Sequence, residues 1–366
     1  MHNMAHANAT QPNAAFQRIL IVRLSSMGDV IHALPAAVML REAFPAATLG
    51  WVIEERWAEL LCALSTPRTG ARSPQRPLVD AIHAVNLKKW RASLFSGQTW
   101  ERIGAGLSDL RGLRYEVAVD LQGAARSAIL ARWSGAPVIY GATQPRENLA
   151  SMWFTRKVVT HCPHVIEQYA ELAQAVIGRE RAIPDAVLPC DPIAEASIQK
   201  RLEESGIGDF VILNPGAGWG AKQWPAERYG QVARALARRQ VSSILNFGPR
   251  EEALAKLAEV ASEGSARAMS FSMGELIALL RRARLFIGGD TGPMHLAAAL
   301  HIPLVAIFGP TNPARNGPFR TKSILLRNAK SPTTLTRRKE ADPGLLAISS
   351  EQVIAAAVEL LEQSRG

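Results

Sequence analysis

Cysteine is sparse in this 366-residue chain: Cys62, Cys162 and Cys190 stand far apart and odd in number. That argues against a disulfide framework and for a reducing cytoplasm. No apolar run approaches the roughly 20 residues needed to cross a bilayer. Residues 1–16, rich in Ala, Asn and His, lack a basic segment followed by an apolar one, so a loose tail without a signal peptide is expected. Gly-x-Gly-x-x-Gly follows neither of the two lead strands identified below, which disfavours a dinucleotide oxidoreductase. No group of His, Cys and carboxylates has metal-ligand spacing, and His161-Cys162-Pro163-His164 is too isolated to suggest one. A tightly bound metal or other cofactor is therefore not expected. With four tyrosines and no nucleic-acid module signature, nucleic acid is not the expected partner either.

What is present is globular: 48% hydrophobic and 20% charged residues, in a chain long enough for two cores. The formal charge of +10 and pI near 9.9 are compatible with polyanionic substrates or an anionic membrane face. Most of the excess is scattered over helix faces. Lys88-Lys89-Trp90-Arg91 differs, because it follows an expected strand at the end where ligands bind. A solvated loop explains it as well.

Apolar runs predict strands near 18–24, 48–54, 81–87, 115–121, 138–141 and 157–160, most separated by helical patterns. A second series falls near 210–214, 242–247, 266–271, 285–289, 304–308 and 323–327. The proline-rich stretch 181–192 reads as a connection between them. Alternating strand and helix implies parallel sheets wound on both faces, and two such domains leave a cleft.

Four turns carry candidate chemistry. Ser25-Ser26-Met27-Gly28-Asp29-Val30 follows the run Ile19–Val22 and puts a carboxylate where a parallel sheet opens onto its ligand crevice. An ordinary helix cap from Asp29 accounts for the same residues. Asn214-Pro215-Gly216-Ala217-Gly218 precedes Lys222, small residues that admit a phosphate beside a point charge for it. Gly288-Gly289-Asp290-Thr291-Gly292-Pro293-Met294-His295 is a strand, a turn and the start of a helix, whose positive end suits an anion. Asp290 there is expected to cap the helix or hold the turn, and His295 is either a core residue or a ligand contact. In Phe247-Gly248-Pro249-Arg250-Glu251-Glu252 a carboxylate is placed for a ribose, although acidic residues opening a helix also favour its dipole.

The first of these turns, extended through Ile31-His32-Ala33-Leu34-Pro35, together with Asp290-Thr291-Gly292-Pro293-Met294-His295, resembles the lipopolysaccharide heptosyltransferases of glycosyltransferase family nine. Lys88–Arg91, Asp120-Leu121-Gln122-Gly123 and the segment from Pro145-Arg146-Glu147 resemble type I members. The loop Pro215–Pro225 looks more like type II. Asn312 stands where many relatives carry aspartate, and Phe271-Ser272-Met273, at the adenine wall, also departs.

The resemblance implies an α/β fold in the GT-B arrangement, two Rossmann-like doubly wound domains facing a central cleft. Residues 17–185 would hold the acceptor and 186–345 the nucleotide-sugar. A helix within 346–366 would return to pack on the first domain. By motif, Asp29 resembles the catalytic base. Gly216, Lys222, Glu251, Asp290, Thr291, Gly292 and His295 match donor positions. Ser26, Lys88, Lys89, Arg91, Gln122 and Arg146 match the acceptor side. The implied donor is ADP-heptose, and the implied acceptor is Kdo-lipid A or an already heptosylated core. The implied location is the cytoplasmic side of the inner membrane, with peripheral attachment to its anionic leaflet. A sugar-nucleotide epimerase would leave residues 88–91 and 146 idle, and a non-catalytic binding protein would not need Asp29.

Overall fold

The computed structural model describes residues 16–87, 90, 96–334 and 340–363. All twelve expected strands form, in two six-stranded parallel sheets. The first sheet contains β1 (Arg18–Val22), β2 (Thr48–Glu54), β3 (Ala81–Val85), β4 (Val117–Asp120), β5 (Val138–Ala142) and β6 (Arg156–Val158), in the order β3-β2-β1-β4-β5-β6. The second contains β7 (Phe210–Asn214), β8 (Ser242–Phe247), β9 (Ala266–Ser270), β10 (Leu285–Gly289), β11 (Leu304–Phe308) and β12 (Ser323–Arg327), in the order β12-β11-β10-β7-β8-β9. The central strands are buried on both faces, so their sequences run apolar without alternation, as in Ile19–Val22 and Val211–Leu213.

Strand order reverses between β1 and β4 in the first sheet and between β7 and β10 in the second. Register sets Val22 beside Asp120 and Asn214 beside Gly288, so each pair of strands ends level. Such switch points open a crevice beyond the carboxyl ends of the strands. The turns after β1, β4, β7 and β10 therefore converge on it.

The helices that follow those strands include α1 (Met27–Ala43), α2 (Gly97–Gly112), α3 (Ala125–Trp133), α4 (Val165–Ile177), α5 (Pro192–Glu204), α6 (Ala226–Ala237), α7 (Glu252–Ala261), α8 (Met273–Leu280) and α9 (Gly292–Ala299). Helix α1 packs on α4 and, across the domain boundary, on α9. One buried apolar cluster runs from β1 through Val30, Ile31 and Leu34 to Met294, Leu296 and Ala297, so the two domains share a core. A second tie crosses where the Gly274 amide donates to the Glu59 carboxylate at 3.2 Å.

The expected return of the C-terminal helix to the first domain is not what the structure has. Helix α10 (Ser350–Gln363) lies against α6, β10, β11 and β12 of the second domain. Its Val353, Ala357 and Leu360 are buried among Val232, Leu236 and Val305. The chain is anchored there before the helix begins, because the Trp224 indole N–H donates to the Ile348 carbonyl at 2.9 Å. Trp90, next to the basic cluster, is half-buried on the core of the first domain.

Three histidines are held neutral by burial. His83, 2.7 Å from the Tyr115 hydroxyl, is lowered to about 4, His32 falls well below its ordinary value, and His164 is also lowered. The unfolded chain takes up a proton at His83 near pH 6.5 that the folded chain refuses until about pH 4. His83 therefore costs stability as pH falls through that window. In His83→Gln, chemical denaturation should give a variant-minus-parent stability that rises as pH drops from 6.5 to 4. A flat difference would contradict this.

Candidate functional site

A cleft of about 700 Å³ lies between the two sheets, lined from both domains. On the first-domain side, α1 begins at Met27, earlier than the helical pattern from Val30 suggests. Asp29 is thus inside the first turn. Its Oδ2 accepts from both the backbone N–H and the hydroxyl of Ser26, each at 2.9 Å. Its Oδ1 lies 2.7 Å from Nη2 of Arg23.

Arg23 is buried, its Nη1 donating to the Leu121 carbonyl at 2.6 Å, with its guanidinium 5.3 Å from the Tyr169 ring centroid. Burial alone would raise the Asp29 pKa. Arg23, the two Ser26 hydrogen bonds and Arg146 outweigh it and hold the carboxyl below its ordinary value. The carboxylate is nevertheless 32% exposed, so it is ionised, oriented and reachable.

On the second-domain side, Lys222 meets Asp290 in a buried ion pair, and its ammonium stands 4.4 Å from the Trp219 ring centroid. Asp290 does not cap α9; Thr291 occupies the N-cap. The other Asp290 oxygen lies 3.1 Å from Nε2 of His295, and Nδ1 of His295 lies 3.0 Å from Nε2 of His32 on α1. Burial opposes ionisation of Asp290. The His295 hydrogen bond and Lys222 overcome it and keep the acid far below the carboxylate range. The Glu251 carboxylate accepts from the Gly248 amide at 2.9 Å and occupies the space a side chain at Gly216 would need.

The N-termini of α1 and α9 meet in the cleft. A Cβ on Gly28 would stand 2.5 Å from the His295 ring, and one on Gly292 would stand 2.4 Å from Met27 Sδ. First-turn amides of a helix have no intrahelical partner, so both helices direct donors and positive dipole ends into the same space. An anion is the natural occupant.

The structure brings Ser26, Asp29, Arg146, Gly216, Lys222, Glu251, Asp290, Thr291, Gly292 and His295 into this one cleft. Gln122 is a correction. It is buried behind the wall, where its side-chain oxygen accepts from the Leu24 amide at 2.8 Å and shapes the turn after β1. Lys88, Lys89 and Arg91 lie outside the described residues.

Sequence reasoning missed Arg23, Arg126 and His32. Each left a signal: Arg23 is a charge directly on the end of a buried strand, and His32 sits one helical turn beyond Asp29. Arg126 is a cation in the first turn of α3, where the dipole disfavours it, and it donates to the Ser25 hydroxyl at 3.3 Å. Asp120, buried at the end of β4, holds the Gln122 and Gly123 amides and the Ser127 hydroxyl at 2.8–2.9 Å. Burial pushes it up to about 6 despite those bonds. Among the described residues, no group of three or more His, Cys, Asp or Glu could hold a metal ion, and no helix is long and apolar enough to cross a membrane.

Two doubly wound domains facing a nucleotide-sized cleft across their switch points make the GT-B arrangement. The sequence pattern of glycosyltransferase family 9 (heptosyltransferase) matches residues 105–344. Lipopolysaccharide heptosyltransferase 1 of Pseudomonas aeruginosa is 30% identical over 322 residues, 84% of this chain and 83% of that protein. The structure of Escherichia coli heptosyltransferase WaaC with ADP is 25% identical with a TM-score of 0.73, covering 95% of this chain and 100% of that one. The E. coli ADP-heptose lipopolysaccharide heptosyltransferase II structure, 21% identical over the same shares, has a TM-score of 0.75 and is alike in fold. The chain belongs to glycosyltransferase family 9. It is a glycosyltransferase, which sets aside the epimerase and oxidoreductase readings.

Replacing Arg23 by Met removes the largest influence that lowers the Asp29 pKa. An opposite charge at this range is worth about one to three pKa units. The acid limb of the turnover–pH profile should therefore move upward in Arg23→Met, with activity lost at higher pH as acid is added. An unmoved limb in a folded variant would show that Asp29 ionisation does not govern turnover.

Proposed function

We propose that this chain moves heptose from ADP-L-glycero-β-D-manno-heptose to Kdo of the lipopolysaccharide inner core, inverting the anomeric centre. The observation that carries the reading is the meeting of α1 and α9, which sets one accessible carboxylate opposite a nest of anion-stabilising donors. The type I relative and the ADP complex of WaaC supply the substrate class.

In this mechanism the acceptor hydroxyl attacks the anomeric carbon of the donor. Its oxygen forms the new bond, its proton passes to Asp29, and the bond to the phosphate oxygen breaks with its electron pair leaving on ADP. The transition state is oxocarbenium-like, as in glycosidases. Charge growing on the departing phosphate is met by the remaining N–H donor of Lys222 and by the amides around Thr291 and Gly292. Glu251 is placed for the ribose. No tightly bound metal enters the reaction, so a chelator should leave turnover intact.

Arg146 and the Lys88, Lys89 and Arg91 cluster would pair with Kdo carboxylates and lipid phosphates. The basic surface would also hold the enzyme loosely on the anionic inner leaflet from the cytoplasmic side. Nucleic acid has no role in this reading. One observation favours a second acceptor: the Pro215–Pro225 loop has a type II character, which suits an already heptosylated core.

The test is transfer from ADP-heptose to Kdo-lipid A, with mono-heptosylated acceptor alongside. Asp29→Asn should lower turnover about a hundred- to ten-thousand-fold while still binding ADP. Product on the heptosylated acceptor alone would move the assignment to type II, and full activity in Asp29→Asn would remove the base. A second expectation concerns the acceptor side: Lys88→Ala with Lys89→Ala should raise the acceptor KM and leave the donor KM unchanged. Unaltered acceptor kinetics in that double variant would sink the assignment.

A further inference from the structure

We propose that His32 is a positioning residue that works across the domain boundary, fixing the ring of His295 and through it the Asp290–Lys222 pair. The inference rests on the reading that the cleft holds a nucleoside-diphosphate sugar. It assigns a role to a side chain that belongs to the opposite domain from every group it orients.

The hydrogen-bond logic leaves little freedom. An ionised carboxylate only accepts, so the contact between Asp290 Oδ1 and His295 Nε2 requires the proton on Nε2. In a neutral His295 ring, Nδ1 is then an acceptor. The partner 3.0 Å away, Nε2 of His32, must donate to it. His32 is buried, and its Nδ1 has no hydrogen-bond partner among the described residues. Leaving a buried ring nitrogen unpaired is costly, and the hydrogen bond from the other nitrogen to His295 offsets that cost.

The other rings near it do not compete for that role. His164, whose centroid is 6.1 Å from that of His32, is occupied by the Gly317 carbonyl at 3.0 Å and the Ile166 amide at 3.2 Å. The space beside His295 is also closed by Gly28, where any Cβ would strike the His295 ring. His295 is therefore held at both ring nitrogens while the domains are together, Nε2 by Asp290 and Nδ1 by His32. Without His32 its Nδ1 would lose its donor, and the ring would be held from the Asp290 side alone, free to tilt and to carry the Asp290–Lys222 pair with it. Asp290 in turn takes two of the three ammonium protons of Lys222, one on its carboxylate and one on its own carbonyl at 3.3 Å, which determines where the third points. The closeness of the two domains is thus converted into the direction of a charge aimed at the leaving phosphate.

The experiment compares the parent with His32→Leu and His32→Gln, the latter keeping a side-chain N–H donor. Donor and acceptor kinetics, ADP affinity by calorimetry and the ring-nitrogen NMR shifts of His295 are measured on each. His32→Leu should lower kcat/KM for the donor about three- to tenfold, the range for one buried hydrogen bond, with the acceptor KM unchanged. The His295 Nδ1 shift should move to that of a ring nitrogen without a hydrogen-bond donor in His32→Leu and stay at the parent value in His32→Gln, which should recover most of the donor kinetics. Equal impairment in both variants, or an unchanged His295 Nδ1 shift in His32→Leu, would overturn the proposal. Failure of the parent itself to bind ADP would be a different result, removing the reading of the cleft, while the Nδ1 shift would still test the His32–His295 coupling.

Discussion

A side chain at Gly28 or Gly292 would lie about 2.5 Å from an atom of the opposite domain, so α1 and α9 meet nose to nose only because both positions are bare. That contact sets the distance between the sheets, and nearly every polar feature of the cleft is arranged around it. It brings two positive helix ends together, which repel unless something negative lies between or beside them. The protein supplies part of that negative charge itself, with Asp29 in the first turn of α1 and Asp290 immediately ahead of α9. A departing diphosphate would supply the rest.

Each of these acids is tied to a cation, and the ties differ in a way that matters. Lys222 and Asp290 are almost wholly removed from solvent and are further braced by His295. Burying an ion pair is seldom favourable relative to apolar packing, and breaking one by removing a partner is strongly destabilising. Such an arrangement earns its place by fixing geometry. Arg23 is equally buried, yet the acid it holds is one-third exposed. One pair is a scaffold and the other presents an accessible oxygen. A difference in exposure separates two aspartates that look alike in the sequence.

The strands and the turns behind them were legible because parallel strands covered on both faces write unbroken apolar runs, and a Gly or Asp ending such a run stands out. What was not legible depended on contacts distant in sequence. The C-terminal helix stays with the second domain through Trp224 and Ile348, more than a hundred residues apart, and nothing in its own amphipathic pattern names a partner. Gln122 carries a motif that points to the acceptor, yet its oxygen is consumed by Leu24. Asp290 reads as a helix cap or a brace for the turn because those are the common uses of Asp before a helix, and its partners come from Lys222 and from α9 itself. Arg23 and His32 were hidden inside apolar segments, where a lone polar residue is easily taken for tolerated noise.

The lowered pKa of Asp29 has a bearing on how the proposed transfer would divide its work. A carboxylate held down by Arg23 and Ser26 is a weak base, and an unreacted sugar hydroxyl is a far weaker acid, so little proton transfer can precede bond formation. In an oxocarbenium-like transition state the hydroxyl becomes acidic only as its oxygen joins the anomeric carbon, and a weak base in the right place is then sufficient. The greater demand falls on the leaving group, whose charge develops early. That is where the cleft concentrates its donors: the Lys222 ammonium and the amides opening α9. The same low value keeps Asp29 anionic in mildly acidic solution, where a raised one would have silenced it. Placement and permanent charge, at the expense of basicity, are what this geometry selects.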